Sequence, residues 1–322
     1  MRILLWHVHG SWATAFVQGP HEYLIPVTPG RGSDGAGRAR TWDWPASARE
    51  VTPGQLGTEP VDLVLLQRPH ELELAQRWLG GRRPGRDVPA VYVEHNTPKG
   101  GVPETEHPLA GQNAIPIVHV THFNRLFWDS GRATALVVEH GVPDPGHRYT
   151  GELARTAVAI NEPVRRWRVT GTDLLPRLAE ASPLDVFGMK VTELPARLGL
   201  PADRLAVYED LPQDALHAAL ARRRVYAHPL RWTSLGLSLI EAMMLGLPVA
   251  VLATTESVHA VPDGAGVLST DPAVLAAAIR RFCADPDWAA HTGKQARAAA
   301  LARYGLDRFL RDWDRLIEEV TR

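Results

Sequence analysis

Cys283 is the only cysteine among 322 residues, so no intrachain disulfide is available and a reducing compartment fits. Lysine is scarce as well. Lys99, Lys190 and Lys294 are the only ones, and arginine carries nearly all the positive charge. That bias suits guanidinium forks on phosphate or carboxylate, and a GC-rich coding sequence produces it equally well. Excess charge of either sign is missing. Lys+Arg 35 against Asp+Glu 36 leaves a formal net charge of −1, which excludes a strongly basic nucleic-acid binder and a polyanionic tail. No apolar run approaches the roughly 18–20 residues of a membrane span. Met1-Arg2-Ile3-Leu4-Leu5-Trp6-His7 reads as a first strand and lacks the longer apolar region of a signal peptide, so a cytoplasmic protein is expected. No G-x-x-x-x-G-K-[ST] occurs, and no G-x-G-x-x-G follows the first strand, which argues against P-loop and nicotinamide chemistry. There is no H-x-x-x-H pair or cysteine cluster, so no metal site is expected.

What is present is an ordinary globular composition, 45% hydrophobic and 22% charged. Short apolar runs at 3–8, 61–66, 90–94, 115–120 and 135–139 read as strands buried on both faces. A second series follows at 157–160, 184–187, 204–208, 224–228, 248–252 and 266–268. Helical spacing fills 72–79, 172–181, 214–221 and 237–245, and the end is helical over 272–284, 288–301 and 306–320. This alternation predicts an α/β fold of parallel sheets. So many strands fit two doubly wound, Rossmann-like domains better than one sheet. The turn-rich stretch 141–146 marks the boundary, giving domains 1–145 and 146–322. Residues 28–58, rich in Pro, Gly and Arg, read as a long irregular segment.

The most informative segment is Thr233-Ser234-Leu235-Gly236-Leu237-Ser238-Leu239-Ile240-Glu241-Ala242-Met243-Met244-Leu245-Gly246-Leu247-Pro248-Val249. Gly236 opens a helix, with Ser234 as its expected N-cap. Unpaired N–H groups and the positive end of the helix dipole suit a diphosphate there, and a residue without Cβ lets a ligand approach the backbone. Glu241, in the second turn of an otherwise apolar helix, is suited to accept two hydrogen bonds from a ribose diol. Gly246 ends the helix. A plain strand–loop–helix–strand unit with a surface Glu fits the same spacing.

This segment resembles the nucleotide-sugar signature of retaining GT-B glycosyltransferases of the GT4-like group, roughly E-G-F-G-L-x-x-x-E-A-M-A-x-G-x-P-V. Three weaker matches follow the same order. Val138-Glu139-His140-Gly141-Val142-Pro143-Asp144 is similar to the junction closing the first domain. Gly171-Thr172-Asp173-Leu174-Leu175 is similar to a K-G-x-D-x-L helix start. The stretch from Ser257 through Asp263-Gly264-Ala265-Gly266 is similar to P-E-V-V-x-D-G-x-x-G. The resemblance covers residues 90–320 well and 1–89 poorly. It implies a GT-B fold with an interdomain cleft, an acceptor-side first domain, a donor-binding second domain, and a terminal helix that can cross back to the first.

By the same resemblance, Glu241 holds the donor ribose, and Leu235, Gly236 and Leu237 place backbone amides on the diphosphate. Thr233 stands where the family has a Glu that contacts the donor sugar; its hydroxyl brings no charge. Arg165 falls on the family's Arg facing the leaving diphosphate, while Thr170 replaces the family's Lys, with Arg166 or Arg168 to supply the second charge. A fixed cation there lowers the barrier by stabilising the departing phosphate. A solvated basic loop is the competing reading. His95, at a strand end, matches a His that faces the donor sugar; His119 and His122 are rivals. Asn96 is an acceptor or sugar contact. Gly10, Ser11 and Trp12 follow the first strand on the acceptor side, where Trp12 is available to stack on a sugar face and an ordinary βα turn is the alternative. Arg231 assists phosphate binding or is a loop charge.

The implied activity is transfer of a sugar from a nucleoside-diphosphate sugar to an acceptor hydroxyl on a small molecule or glycan, with retention. It needs no metal or further cofactor. A GT-B nucleotide-sugar epimerase and a catalytically degenerate GT-B partner subunit are the alternatives, the latter kept open by Thr233 and Thr170.

Overall fold

The continuous apolar runs form strands, and the amphipathic segments between them form the helices that return the chain to each sheet. A computed structural model describes residues 1–322. They divide into two compact units, Met1–Val142 with Leu306–Arg322, and Pro143–Gly305.

The first unit runs β1 (Arg2–Leu5), α1 (Gly10–Phe16), β2 (Glu22–Pro26), β3 (Ala48–Val51), α2 (Pro53–Leu56), β4 (Leu63–Leu66), α3 (Glu71–Trp78), β5 (Ala90–Glu94), β6 (Ile117–His119), α4 (His122–Phe127) and β7 (Ala135–Val137). Its strands make a parallel sheet of order β3-β2-β1-β4-β5-β6-β7.

The second unit runs β8 (Leu153–Ala159), α5 (Pro163–Arg166), α6 (Leu175–Ala181), β9 (Leu184–Gly188), α7 (Leu194–Leu198), β10 (Leu205–Glu209), α8 (Gln213–Ala221), β11 (Arg223–His228), α9 (Leu237–Leu245), β12 (Val249–Leu252), α10 (Ser257–Ala260), β13 (Gly266–Ser269), α11 (Pro272–Ala284) and α12 (Pro286–Tyr304). Its parallel sheet has the order β10-β9-β8-β11-β12-β13. In both sheets the order reverses beside the first strand, the kind of position where α/β folds bind ligands beyond the strands' C-terminal ends. No helix is long and apolar enough to cross a membrane.

The last helix, α13 (Leu306–Thr321), belongs to the first unit and buries Phe309, Trp313, Leu316 and Ile317. Trp313 lies 5.6 Å from the Trp12 ring and 5.1 Å from Phe16 of α1, in edge-on contacts that aromatic quadrupoles favour.

The reading of 28–58 as irregular needs correction. That segment contains β3, an edge strand whose Arg49 pairs with Glu22 at 2.6 Å, and the one-turn α2. Four residues at a sheet edge carry too little apolar pattern to stand out. The helix, however, starts with a capping box: Gln55 N–H donates to the Thr52 hydroxyl, and Gln55 Oε1 accepts from Thr52 N–H at 2.8 Å. Thr52-Pro53-Gly54-Gln55 carries that signature in the sequence.

Candidate functional site

In the second unit the loop from β11 reaches α9 at Gly236. Gly236, not Ser234, is the N-cap, and no side chain caps the helix. This corrects the expected cap and leaves the first turn's N–H groups to other partners. A Cβ on Gly236 would lie 2.5 Å from His228 Cε1, so only glycine lets the loop rest on that imidazole. His228 is buried, its Nδ1 has no partner, and burial pushes its pKa down to about 3, so the ring is neutral.

Ser234 and Leu235 are buried, whereas Thr233 and Leu237 are half-exposed. Glu241 lies more than a turn into α9 on its buried side. Its side chain is 7% exposed and makes no hydrogen bond; its one ionic neighbour is His217 of α8, with Oε2 and Nε2 3.5 Å apart. The surface-Glu alternative therefore fails: Glu241 is a buried carboxylate. Such a group is costly unless something hydrogen-bonds it.

Three basic residues singled out in the sequence, Arg165, Arg168 and Arg231, are each paired with a carboxylate. Arg165 is exposed and bound to Glu162, which also accepts from Lys190 Nζ at 2.9 Å. Arg165 first and Lys190 second hold the Glu162 carboxyl down to about 2. Arg231 donates through Nη2 to Asp173 at 2.9 Å and through Nη1 to the Arg168 carbonyl at 3.0 Å. Arg168 itself reaches Asp173 at 3.1 Å. Burial raises the Asp173 pKa, but Arg231 outweighs it and the net direction is down. Thr170 is buried, with its hydroxyl donating to the Trp167 carbonyl at 3.1 Å and 2.9 Å from the Thr172 hydroxyl. It is part of the turn's internal bonding.

In the first unit, His95 follows β5 and is buried. Its ring stacks on His9 at 4.0 Å and meets the edge of Trp12 at 5.1 Å. Its Nε2 has no partner. Burial first, then His9 and His140, place its pKa well below the ordinary range, so it is a neutral imidazole. Trp12 is fully buried among Phe16, Phe309 and Trp313, which corrects the expectation of a stacking platform: its faces are occupied by α1 and α13. The Trp42 ring covers Gly10, where a Cβ would lie 2.4 Å from it, and Ser11 beside it is half-buried.

Asn96 is exposed. Its N–H and Nδ2 both donate to Glu94 Oε1, at 2.6 and 3.2 Å. Glu94 Oε2 is 3.1 Å from His107 Nε2, and His107 Nδ1 accepts the Leu109 N–H. The rival His119 is buried 3.3 Å from the Ser130 hydroxyl, and His122 is exposed at the start of α4.

The structure thus gathers Thr233, Ser234, Leu235, Gly236 and Leu237 at one helix start, with Glu241 farther along the same helix, and joins Arg168 to Arg231 through Asp173. It places Arg165 on a separate carboxylate and gathers Gly10, Ser11, Trp12, His95 and Asn96 in the first unit. Sequence reasoning missed His217, Lys190 and the His9 stack. His217 left one signal, a polar residue on the buried face of α8. No three His, Cys, Asp or Glu side chains are grouped to hold a metal ion.

Residues 187–299 match the family model described as Glycosyl transferases group 1. None of the curated proteins matches the chain in sequence. Among solved structures, sucrose-phosphate synthase from Thermosynechococcus elongatus superposes with a TM-score of 0.72 at 15% identity, over 99% of this chain and 98% of that one. Anabaena HepE, solved with UDP-glucose, gives 0.70 at 16% identity, over 99% and 100%. A glycosyltransferase from Rickettsia africae gives 0.67 at 13%, over 100% and 98%. At these identities the likeness is one of fold.

Proposed function

The chain carries a group 1 glycosyltransferase domain on a GT-B fold, and from that premise we propose that it transfers a sugar from a nucleoside-diphosphate sugar to an acceptor hydroxyl with retention. The observation that carries the reading is Glu241, a buried carboxylate with no hydrogen bond, on a helix whose N-terminus no side chain caps. The two features match the two ends of one ligand, a ribose diol and a diphosphate. The second unit binds the donor and the first binds the acceptor. A UDP-sugar is the first donor to try, since HepE was solved with UDP-glucose.

Arg165 then has to exchange Glu162 for the leaving phosphate. As the sugar–phosphate bond breaks, negative charge builds on the diphosphate, and Arg165 with the α9 N–H groups stabilises it without a metal. The departing phosphate takes the acceptor proton on the same face. His95, neutral and dehydrated, serves as a hydrogen-bonding group rather than a proton donor.

Thermal stability in UDP, GDP, dTDP and ADP, each with a matching sugar conjugate, tests the reading. A ligand at about 100 times its Kd adds roughly 2.7 kcal/mol, so a real site gives a clear shift. A shift with one base that disappears in Glu241→Ala supports the donor site; no shift with any of them removes the reading.

One observation favours a second reading, a non-catalytic partner subunit: Thr170 is buried in its own turn and brings no charge. Donor turnover that appears only in a Thr233→Glu, Thr170→Lys double variant would establish it.

A further inference from the structure

Residues 27–47 join β2 to β3 without a helix or strand of their own. Connections beyond about 12–15 residues are uncommon in compact domains, and the ordered ones are mostly lids or binding loops. This one touches the two strand ends that flank the order reversal of the first sheet. After β4, Asp34 Oδ1 lies 2.9 Å from His70 Nε2 and 3.2 Å from Arg68 Nη1. After β1, the Gly37 carbonyl lies 3.1 Å from His7 Nδ1, and the Trp42 ring covers Gly10. β1 and β4 are paired neighbours, so the segment bridges the place where α/β folds take ligands.

The base of the segment is fixed and its tip is not. Arg31 donates to Glu50 at 2.8 and 3.0 Å, and Arg38 N–H donates to the same carboxylate at 2.9 Å. Buried Trp44 donates Nε1 to the Thr14 hydroxyl at 2.8 Å. Between Arg38 and Trp44, residues 39–43 make no hydrogen bond, and Arg40, Thr41 and Asp43 are exposed. Half-buried Trp42 holds this tip down on Gly10. At the same strand ends the closed arrangement leaves polar atoms unmet: Gln67 Oε1 and Arg68 Nη2 are buried without a partner. Such atoms carry a cost that a ligand or water removes. The Asp34 contacts are largely exposed and add little to folding.

We propose that segment 27–47 is a lid on the first unit: latched through Asp34 and closed by Trp42 on Gly10, it keeps water from the acceptor's place and opens at its 39–43 tip to admit the acceptor. This rests on the reading of the first unit as the acceptor side. Trp42 is then a gating residue and takes no part in the chemistry. Excluding water until the acceptor arrives protects the donor from hydrolysis.

The test compares the wild-type protein with Asp34→Ala, Asp34→Glu and Trp42→Ala. Hydrogen exchange over residues 36–44 and tryptic cleavage after Arg40 read the tip. Hydrolysis of UDP-, GDP-, dTDP- and ADP-glucose without acceptor reads the shielding, and thermal shift with the same sugars reads binding. Asp34→Ala should speed exchange and cleavage about two- to fivefold, the weight of one exposed ion pair, with melting temperature unchanged. Trp42→Ala should speed them about tenfold or more, since it removes the ring that holds the tip. Donor hydrolysis should rise in the same order, and Asp34→Glu should stay near wild type. If Trp42→Ala does not fold, Asp34→Ala decides alone. Unaltered exchange in the folded variants overturns the lid. A looser tip with hydrolysis at the wild-type rate, none included, overturns the shielding role while the donor site stands. A wild type that neither binds nor hydrolyses any of the sugars overturns the donor reading itself, and this inference with it.

Discussion

The two units weight their buried polar groups differently: three imidazoles with an unpartnered ring nitrogen lie in the first unit against one, His228, in the second. The first buries neutral imidazoles. His95, His119 and His140 each keep at least one ring nitrogen without a partner, and His9 stacks on His95. The second buries charge in matched sets. Asp185, wholly buried on β9, accepts from Arg155 Nε at 2.8 Å and Nη2 at 2.6 Å and from Arg223 Nε at 2.7 Å. The Arg223 guanidinium also lies over the Phe187 and Tyr208 rings, about 5 Å from each centroid. A paired charge inside a protein stays charged and becomes intolerant of losing one partner. An unpaired imidazole sheds its charge and becomes sensitive to pH. The contrast also separates structure from site. Asp185 is fully bonded and structural, while Glu241, in the same unit, is buried with no hydrogen bond and is where a ligand has something to supply.

The largest expected effects strike each interior at its centre. Trp12→Ala empties a fully buried aromatic position between α1 and α13, and should destabilise the first unit by about 3–5 kcal/mol. Asp185→Ala strands two arginines, one of them buried, and should cost the second unit about 3–5 kcal/mol. Peptide-resolved hydrogen exchange tells the units apart: protection should fall in the unit carrying the substitution. Equal loss in both units from either variant would break the comparison.

Acidification should act next and mainly on the first unit. Burial lowers the pKa of His9 to about 4 and of His119 and His140 to about 3, and lowers that of His95 well below its usual value. In the second unit it lowers His228 to about 3. Between pH 6.5 and these values the unfolded chain binds protons that the folded chain refuses. Stability is therefore complete above about pH 6.5 and falls as pH drops, by on the order of 1 kcal/mol per histidine at pH 5.5. Denaturant unfolding at pH 7.5 and 5.5, followed by exchange, should show the first unit opening earlier at the lower pH. A second unit that weakens as much would remove the distinction.

The sequence made the fold legible wherever apolar runs were long and continuous. The helix at 237–245 and that at 272–284 have the observed bounds, because a Gly N-cap with a Gly C-cap in one case, and Asp271 with Pro272 in the other, punctuate them locally. Strand β3 was not legible, since an edge strand of four residues with Arg49 and Glu50 at its centre has no apolar signal. The candidate site was legible in its contiguous part, Thr233 to Glu241. What no spacing reveals is tertiary. That Trp12 faces α13, that Arg165 is held by Glu162, and that His217 meets Glu241 all depend on segments far apart or on side-chain direction.

The smallest effect on stability carries the sharpest functional contrast. Glu162 and Arg165 form an exposed pair, and such pairs add little to folding because solvent screens them. Glu162→Gln should leave the melting temperature unchanged. It should nonetheless raise nucleoside-diphosphate affinity severalfold, because Arg165 and Lys190 then need not leave a carboxylate to meet a phosphate. Arg165→Ala should act in reverse, weakening diphosphate binding and slowing transfer while the fold is untouched. If Glu162→Gln weakens binding instead, the carboxylate is orienting Arg165 rather than competing for it, and the exposed cations of the second unit belong with Asp185 as built structure.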